Sequence, residues 1–115
     1  MEVKEAYCSK EVCELLREKG FDIEIPTYIS KCGYMGYGSY WNWNQSSRNY
    51  SCPTHQMACA WIRKKGYSVE IHVTPVGWHW KVCTVGGKLI ASSGACEDYD
   101  ECMENALMYT LNNLI

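Results

Sequence analysis

Apolar residues recur at helical spacing in three stretches of the chain. The longest is at the end, where Tyr99, Cys102, Met103, Ala106, Leu107, Thr110, Leu111 and Leu114 fall at i, i+3, i+4 and i+7. Asp98 stands at the N-cap position and Glu101 completes a capping box, so a helix is predicted from there onward. A first helix is predicted from about Lys10 to Lys19. Ser9 is its cap, and Val12, Leu15 and Leu16, joined by Cys8, are its buried stripe. Gly20 is a natural left-handed stop, after which Phe21 folds back on the last turn. A second helix is predicted from Pro53 or Thr54 to Lys65, with Met57, Ala58, Trp61 and Ile62 as its apolar face. Proline suits its first turn, Ser51, Cys52 and Thr54 all qualify as cap, and Gly66 ends it.

Elsewhere the period is two. Ile23 and Ile25 alternate with Asp22 and Glu24, which predicts a half-buried strand over Phe21 to Tyr28, with Pro26 marking an edge or an end. Val69, Ile71 and Val73 alternate with Glu70, His72 and Thr74. After a turn at Pro75-Val76-Gly77, Trp78, Trp80 and Val82 do the same. Gly86-Gly87 makes a second turn before a short strand from Lys88 to Ser92. Residues 29 to 50 are the least regular stretch, since Gly33, Gly36 and Gly38 argue for turns; Ser39 to Trp43 reads as one short strand.

The chain echoes itself. Cys13 to Ile25 aligns without a gap on Cys59 to Ile71: Lys19-Gly20-Phe21 matches Lys65-Gly66-Tyr67, and Ile23-Glu24-Ile25 matches Val69-Glu70-Ile71. Either the segment is duplicated, or the same helix-to-strand junction selects the same residues twice. The fold class expected is α+β: a single domain over residues 1–115 with a small antiparallel sheet of three to five strands. Helices two and three cover one face of that sheet, with helix one at the side. The second half, ordered helix, strand, strand, strand, helix, has the order of the double-stranded RNA-binding domain. Where that family carries lysines at the start of its last helix, this chain has Glu97, Asp98, Asp100 and Glu101, which repel phosphate.

Composition narrows the function. Of 115 residues 47% are hydrophobic and 21% charged, with a net charge of −2, so no basic stripe supports phosphate-dominated binding. The charged opening Met-Glu-Val-Lys-Glu-Ala-Tyr has no apolar signal region, and no apolar run approaches the roughly 18 residues a membrane span needs. A cytoplasmic chain is expected. In that compartment the eight cysteines read as reduced, largely buried thiols.

Chemistry-bearing constellations are few. His55 and Cys59 stand at i, i+4 on one helix with Cys52 just upstream, an incomplete zinc pattern lacking a fourth ligand unless Cys96 supplies it. Cys52 near a helix start, with His55 beside it, also has the outline of an activated nucleophile, but no oxyanion site accompanies it. The acids at the last helix start read as dipole-complementing caps. Trp78 and Trp80 share a sheet face and read as core. The segment from Tyr34 to Tyr50 differs: it is rich in Tyr, Trp, Gly, Ser and Asn and poor in aliphatics and charge. Adaptable recognition surfaces have that composition, because Tyr and Trp give contact area at low entropy cost.

The stretch Lys10 to Asp22, the Pro53-Thr54-x-x-x-Ala58 helix start with its continuation to Arg63, and Tyr99 to Leu107 with the closing Leu114-Ile115 resemble small proteins of phages, prophages and mobile elements of gut Bacteroidales. The resemblance spans nearly the whole chain and is loosest over Tyr28 to Tyr50. It implies an intracellular accessory protein of phage type, and it transfers no functional residues. The expectation is therefore a non-enzymatic binding module without cofactor. Tyr34, Tyr37, Tyr40, Trp41 and Trp43 form its contact surface, for a protein partner or for a second copy. The alternatives are stacking of single-stranded or structured nucleic acid on the same rings, and a zinc-stabilised domain through Cys52, His55 and Cys59.

Overall fold

The computed structural model of the chain describes residues 4–115; Met1–Val3, where the charged opening stretch begins, lie outside them. The fold is mixed α and β, with three α-helices and two three-stranded antiparallel sheets. The chain divides into two compact units, Met1–Gln56 and Met57–Ile115.

In the first unit α1 spans Lys10–Glu18. Ser9 is extended and its Oγ accepts the Val12 N–H at 3.2 Å, so the expected cap is made. At the other end Gly20 takes φ +94, which lets its own N–H reach Arg17 O (3.1 Å) and the Phe21 N–H reach Leu16 O (2.9 Å). Phe21 is thereby turned inward and buried. The buried stripe is Val12, Cys13 and Leu16, with Cys8; Leu15 is only half-buried.

The strand expected over Phe21 to Tyr28 begins later. β1 spans Ile25–Ser30, and Ile25, Thr27 and Ile29 point inward while Ile23 stays exposed. Two isoleucines two apart do not fix where pairing begins; the partner strands do. β2 spans Met35–Trp41 and β3 spans Asn49–Ser51, in the order β2-β1-β3. Hence β1 is central, so of the two readings of Pro26 the edge position is corrected and the strand end holds, Pro26 being the second residue of β1. The proline is tolerated because the β1/β2 register shifts between Ile25 and Thr27, while β3 pairs only with Tyr28, Ile29 and Ser30. Half of the stretch expected to be irregular is ladder, and the connection after β2 holds a short 3₁₀ turn, Trp43–Gln45.

In the second unit α2, which spans His55–Lys64 and begins just before the unit boundary, leads into β4 (Tyr67–Thr74), β5 (Gly77–Thr84), β6 (Leu89–Ser92) and α3 (Tyr99–Asn113). The order helix, three strands, helix is as expected, and the strands form a simple meander, β4-β5-β6. The register sets Val69 opposite Val82, Ile71 opposite Trp80 and Val73 opposite Trp78, so two apolar rows share one face. Onto that face α3 lays Cys102 and Ala106, against Trp80 and Val82. Asp98 caps α3, accepting the Glu101 N–H at 3.0 Å.

Two expectations need correction. The strands make two sheets, not one, and the helix packed on the apolar face of the second is α3. Ala58, Trp61 and Ile62 of α2 are buried, but its Cys59 meets α3 instead, with Sγ 3.6 Å from Met103 Sδ. This is possible because α3 is buried on two sides, Cys102 and Ala106 on one and Met103, Leu107 and Leu111 beyond.

Candidate functional site

Residues opposite one another on paired strands share a face. Tyr28 of β1 stands opposite Gly36 of β2, on the side away from the buried Ile25, Thr27 and Ile29. The bare glycine lets the Tyr28 ring lie on the backbone of β2: a Cβ at position 36 would come within 2.5 Å of its Cζ. Gly38 does the same for Trp43, whose Cζ2 would lie 2.8 Å from an added Cβ. An aromatic ring covering a cross-strand glycine supplies the packing that the glycine lacks. Trp43 is reached by the 3₁₀ turn, which folds its indole back over the sheet. Its ring centroid lies 4.5 Å from that of Tyr28, and its Nε1–H donates to Ile25 O at 2.8 Å. Trp41 meets it edge-on at 5.1 Å.

The loop beneath is pinned by polar side chains. Asn42 Oδ1 accepts the Asn44 N–H (3.1 Å), Asn44 Nδ2 donates to Phe21 O (2.8 Å), and Asn44 Oδ1 accepts the Ser51 N–H (2.9 Å). The Asn and Ser content that gave the segment its loop-like look is therefore hydrogen-bonding apparatus.

Around this pinned centre the tyrosines stand out. Tyr34 is 77% exposed, Tyr40 73% and Tyr37 67%, with Trp41 at 37%. Tyr34 sits at the β1–β2 turn, its N–H on Ser30 Oγ (3.0 Å). The Tyr37 side chain hydrogen-bonds Tyr7, and that bond, followed by burial, raises the Tyr7 pKa above its ordinary value. No charged side chain occurs between Lys31 and Arg48. The five candidate residues thus lie on one strand and the turns at its two ends, but they divide: Trp43 is a fixed pillar, Tyr34, Tyr40 and Trp41 stand around it, and Tyr37, opposite the buried Thr27, is exposed on the other side of the strand. Tyr28 belongs to the group and was missed. Its signal was available, since it falls out of phase with the inward row of β1.

The sulfur-bearing candidates are placed as follows. Cys52 is fully buried in the first unit, its Sγ donating to Cys8 O (3.5 Å) and lying 3.9 Å from Met35 Sδ. His55 is buried, and the thiol its ring approaches within that unit is Cys8, ligand atoms being within 4.8 Å. Cys59 belongs to the second unit, and its burial pushes its pKa up. Trp78 and Trp80 are structural, packed on Tyr99 (5.1 Å) and Tyr109 (5.3 Å) of α3.

Among the described residues no helix is long and apolar enough to cross a membrane. No protein family, curated protein or solved structure matches the chain.

Proposed function

We propose that this chain is a non-enzymatic macromolecule-binding module of an accessory, phage or prophage type, which holds a protein partner on the aromatic face and open edge of β2. The phage context rests on the sequence resemblance alone. The binding reading rests on one observation: an uncharged edge strand carries exposed Tyr34 and Tyr40 beside Trp41, over a base of Tyr28 and Trp43 that is already packed, with Tyr37 exposed on the strand's other side. Large rings held by a rigid base lose little entropy on binding, and the outer edge of β2, which pairs with no further strand among the described residues, adds main-chain donors and acceptors.

The test is capture from lysate of infected host cells by wild type and by a Tyr34→Ser, Tyr37→Ser, Tyr40→Ser variant with an unchanged far-UV spectrum. A specific protein retained by wild type and lost by the variant is expected. Equal retention by both overturns the reading. Quenching of Trp emission by single-stranded oligonucleotides, removed by the same substitutions, would replace protein with nucleic acid as the occupant.

A further inference from the structure

Two of the cysteines, Cys96 and Cys102, pack in one cluster at the start of α3. Cys96 lies in the segment between β6 and α3, fixed by a two-way bridge to β5. The Trp78 N–H donates to Cys96 O (2.8 Å) and the Cys96 N–H to Trp78 O (2.6 Å). Gly77, at φ +132, makes room for this approach, since a Cβ there would fall 2.7 Å from Cys96 O. Cys102 is in the first turns of α3, fully buried among Trp80, Val82 and Ala106, and Cys96 packs against the same cluster. Cys96 is thus packed beside Cys102, and Asn105, on the same side of α3, brings Nδ2 to 4.0 Å from Cys96 Sγ. Cys96 is partly exposed and Cys102 is not. The pair thus joins a partly exposed cysteine to a fully buried one.

From this geometry we propose that Cys96 and Cys102 are an oxidation site, which a hydroperoxide converts to a disulfide across the start of α3. This rests on different residues from the aromatic face and stands independently of it. The Cys96 thiolate attacks one peroxide oxygen, the O–O bond breaks, and the departing hydroxide takes a proton to leave as water, giving a sulfenic acid on Cys96. The Cys102 sulfur then attacks the Cys96 sulfur, the S–O bond breaks, and the hydroxyl leaves as water with the Cys102 proton. In sum two thiols and one hydrogen peroxide give one disulfide and two waters, two electrons passing from sulfur to oxygen. Exposure sets the order of events: Cys96, partly exposed, meets the peroxide first, and Cys102, fully buried beside it, is the resolving partner.

The experiment uses the full chain carrying Cys32→Ser, which removes the exposed thiol able to link two copies. One equivalent of hydrogen peroxide should lower the intact mass by about 2 Da, and a non-reducing digest should yield Cys96 and Cys102 in one linked product. Adding Cys102→Ala should leave a sulfenic acid on Cys96 that dimedone traps. Adding Cys96→Ser should abolish the mass loss. The oxidised protein should melt higher than the reduced one, reversibly with dithiothreitol. An unreacted Cys96, a disulfide to any other cysteine, or direct passage of Cys96 to its sulfonic acid while Cys102 is present overturns the proposal. The Cys96→Ser variant keeps the test decisive if Cys102→Ala fails to fold.

Discussion

The two units start alike and finish differently. Each begins with a helix ended by a left-handed glycine, Gly20 at φ +94 and Gly66 at φ +103, followed by an aromatic residue and then a three-stranded antiparallel sheet. The likeness stops at the sheet. In the second unit the strands follow one another as a meander, β4-β5-β6, and an amphipathic helix closes the apolar face. In the first the strand after the helix is central, its neighbours arrive on both sides, and rings of the sheet's own strands and turn cover the second face. A helix cap and stop are local and depend on a few residues. Strand order is set by which edges find partners, and the residues that decide it lie far along the chain. Shared junction residues therefore say little about shared topology.

Substitutions can test this contrast, the most damaging first. Leu107→Ala, in the fully buried face of α3, should cost roughly 2–5 kcal/mol in urea unfolding. Phe21→Ala in the first unit should cost about 3–5 kcal/mol. A much smaller loss for Phe21 would mean that the ring-covered sheet contributes little to stability. Next come the glycines under the rings. Gly36→Ala or Gly38→Ala drives a methyl into Tyr28 or Trp43 and should cost about 1–3 kcal/mol, with a change in near-UV dichroism. Gly86→Ala in the second unit meets nothing closer than 3.7 Å and should stay within about 0.5 kcal/mol.

The shared feature should respond equally in both units: Gly20→Ala and Gly66→Ala should each cost on the order of 1 kcal/mol, since both positions have open space but positive φ. A fourth comparison is alkaline. Burial raises the pKa of Cys59, Cys83 and Cys102, all in the second unit. A thiol whose folded pKa is raised binds more protons folded than unfolded as pH climbs, so its stabilisation is complete below about 9 and is lost above it. For Cys102 that loss extends to about pH 12. Unfolding midpoints should be flat near neutrality and fall above pH 9, less steeply in Cys102→Ala. The raised Tyr7 pKa acts with the same sign in the first unit, starting from about pH 10.

What the sequence disclosed follows the same division. Ser9, Asp98, Gly20 and Gly66 act through neighbours within five residues, and each was readable. The β4/β5 register was readable too, because two alternating rows flank a two-residue turn. Residues 29–50 were not. Gly36 and Gly38 look like breakers until Tyr28 and Trp43 are known to lie on them, and Tyr28 belongs to another strand. The exposure of Tyr34 and Tyr40 followed from composition. The fixed role of Trp43 did not, since it depends on a carbonyl of Ile25 reached through a turn. Cys96 and Cys102 escaped because the intervening residues conceal a meeting that only the bridge to Trp78 creates.

The absence of charge from residue 32 to residue 47 has a kinetic corollary. A contact made there has no charge of its own to guide its approach and the chain's net charge is only −2, so encounter should run near the unsteered rate of about 10⁵–10⁶ M⁻¹ s⁻¹. Added salt, which slows steered complexes by screening, should leave that rate nearly untouched. Tight binding would then have to come from slow departure, with ring contacts setting the residence time.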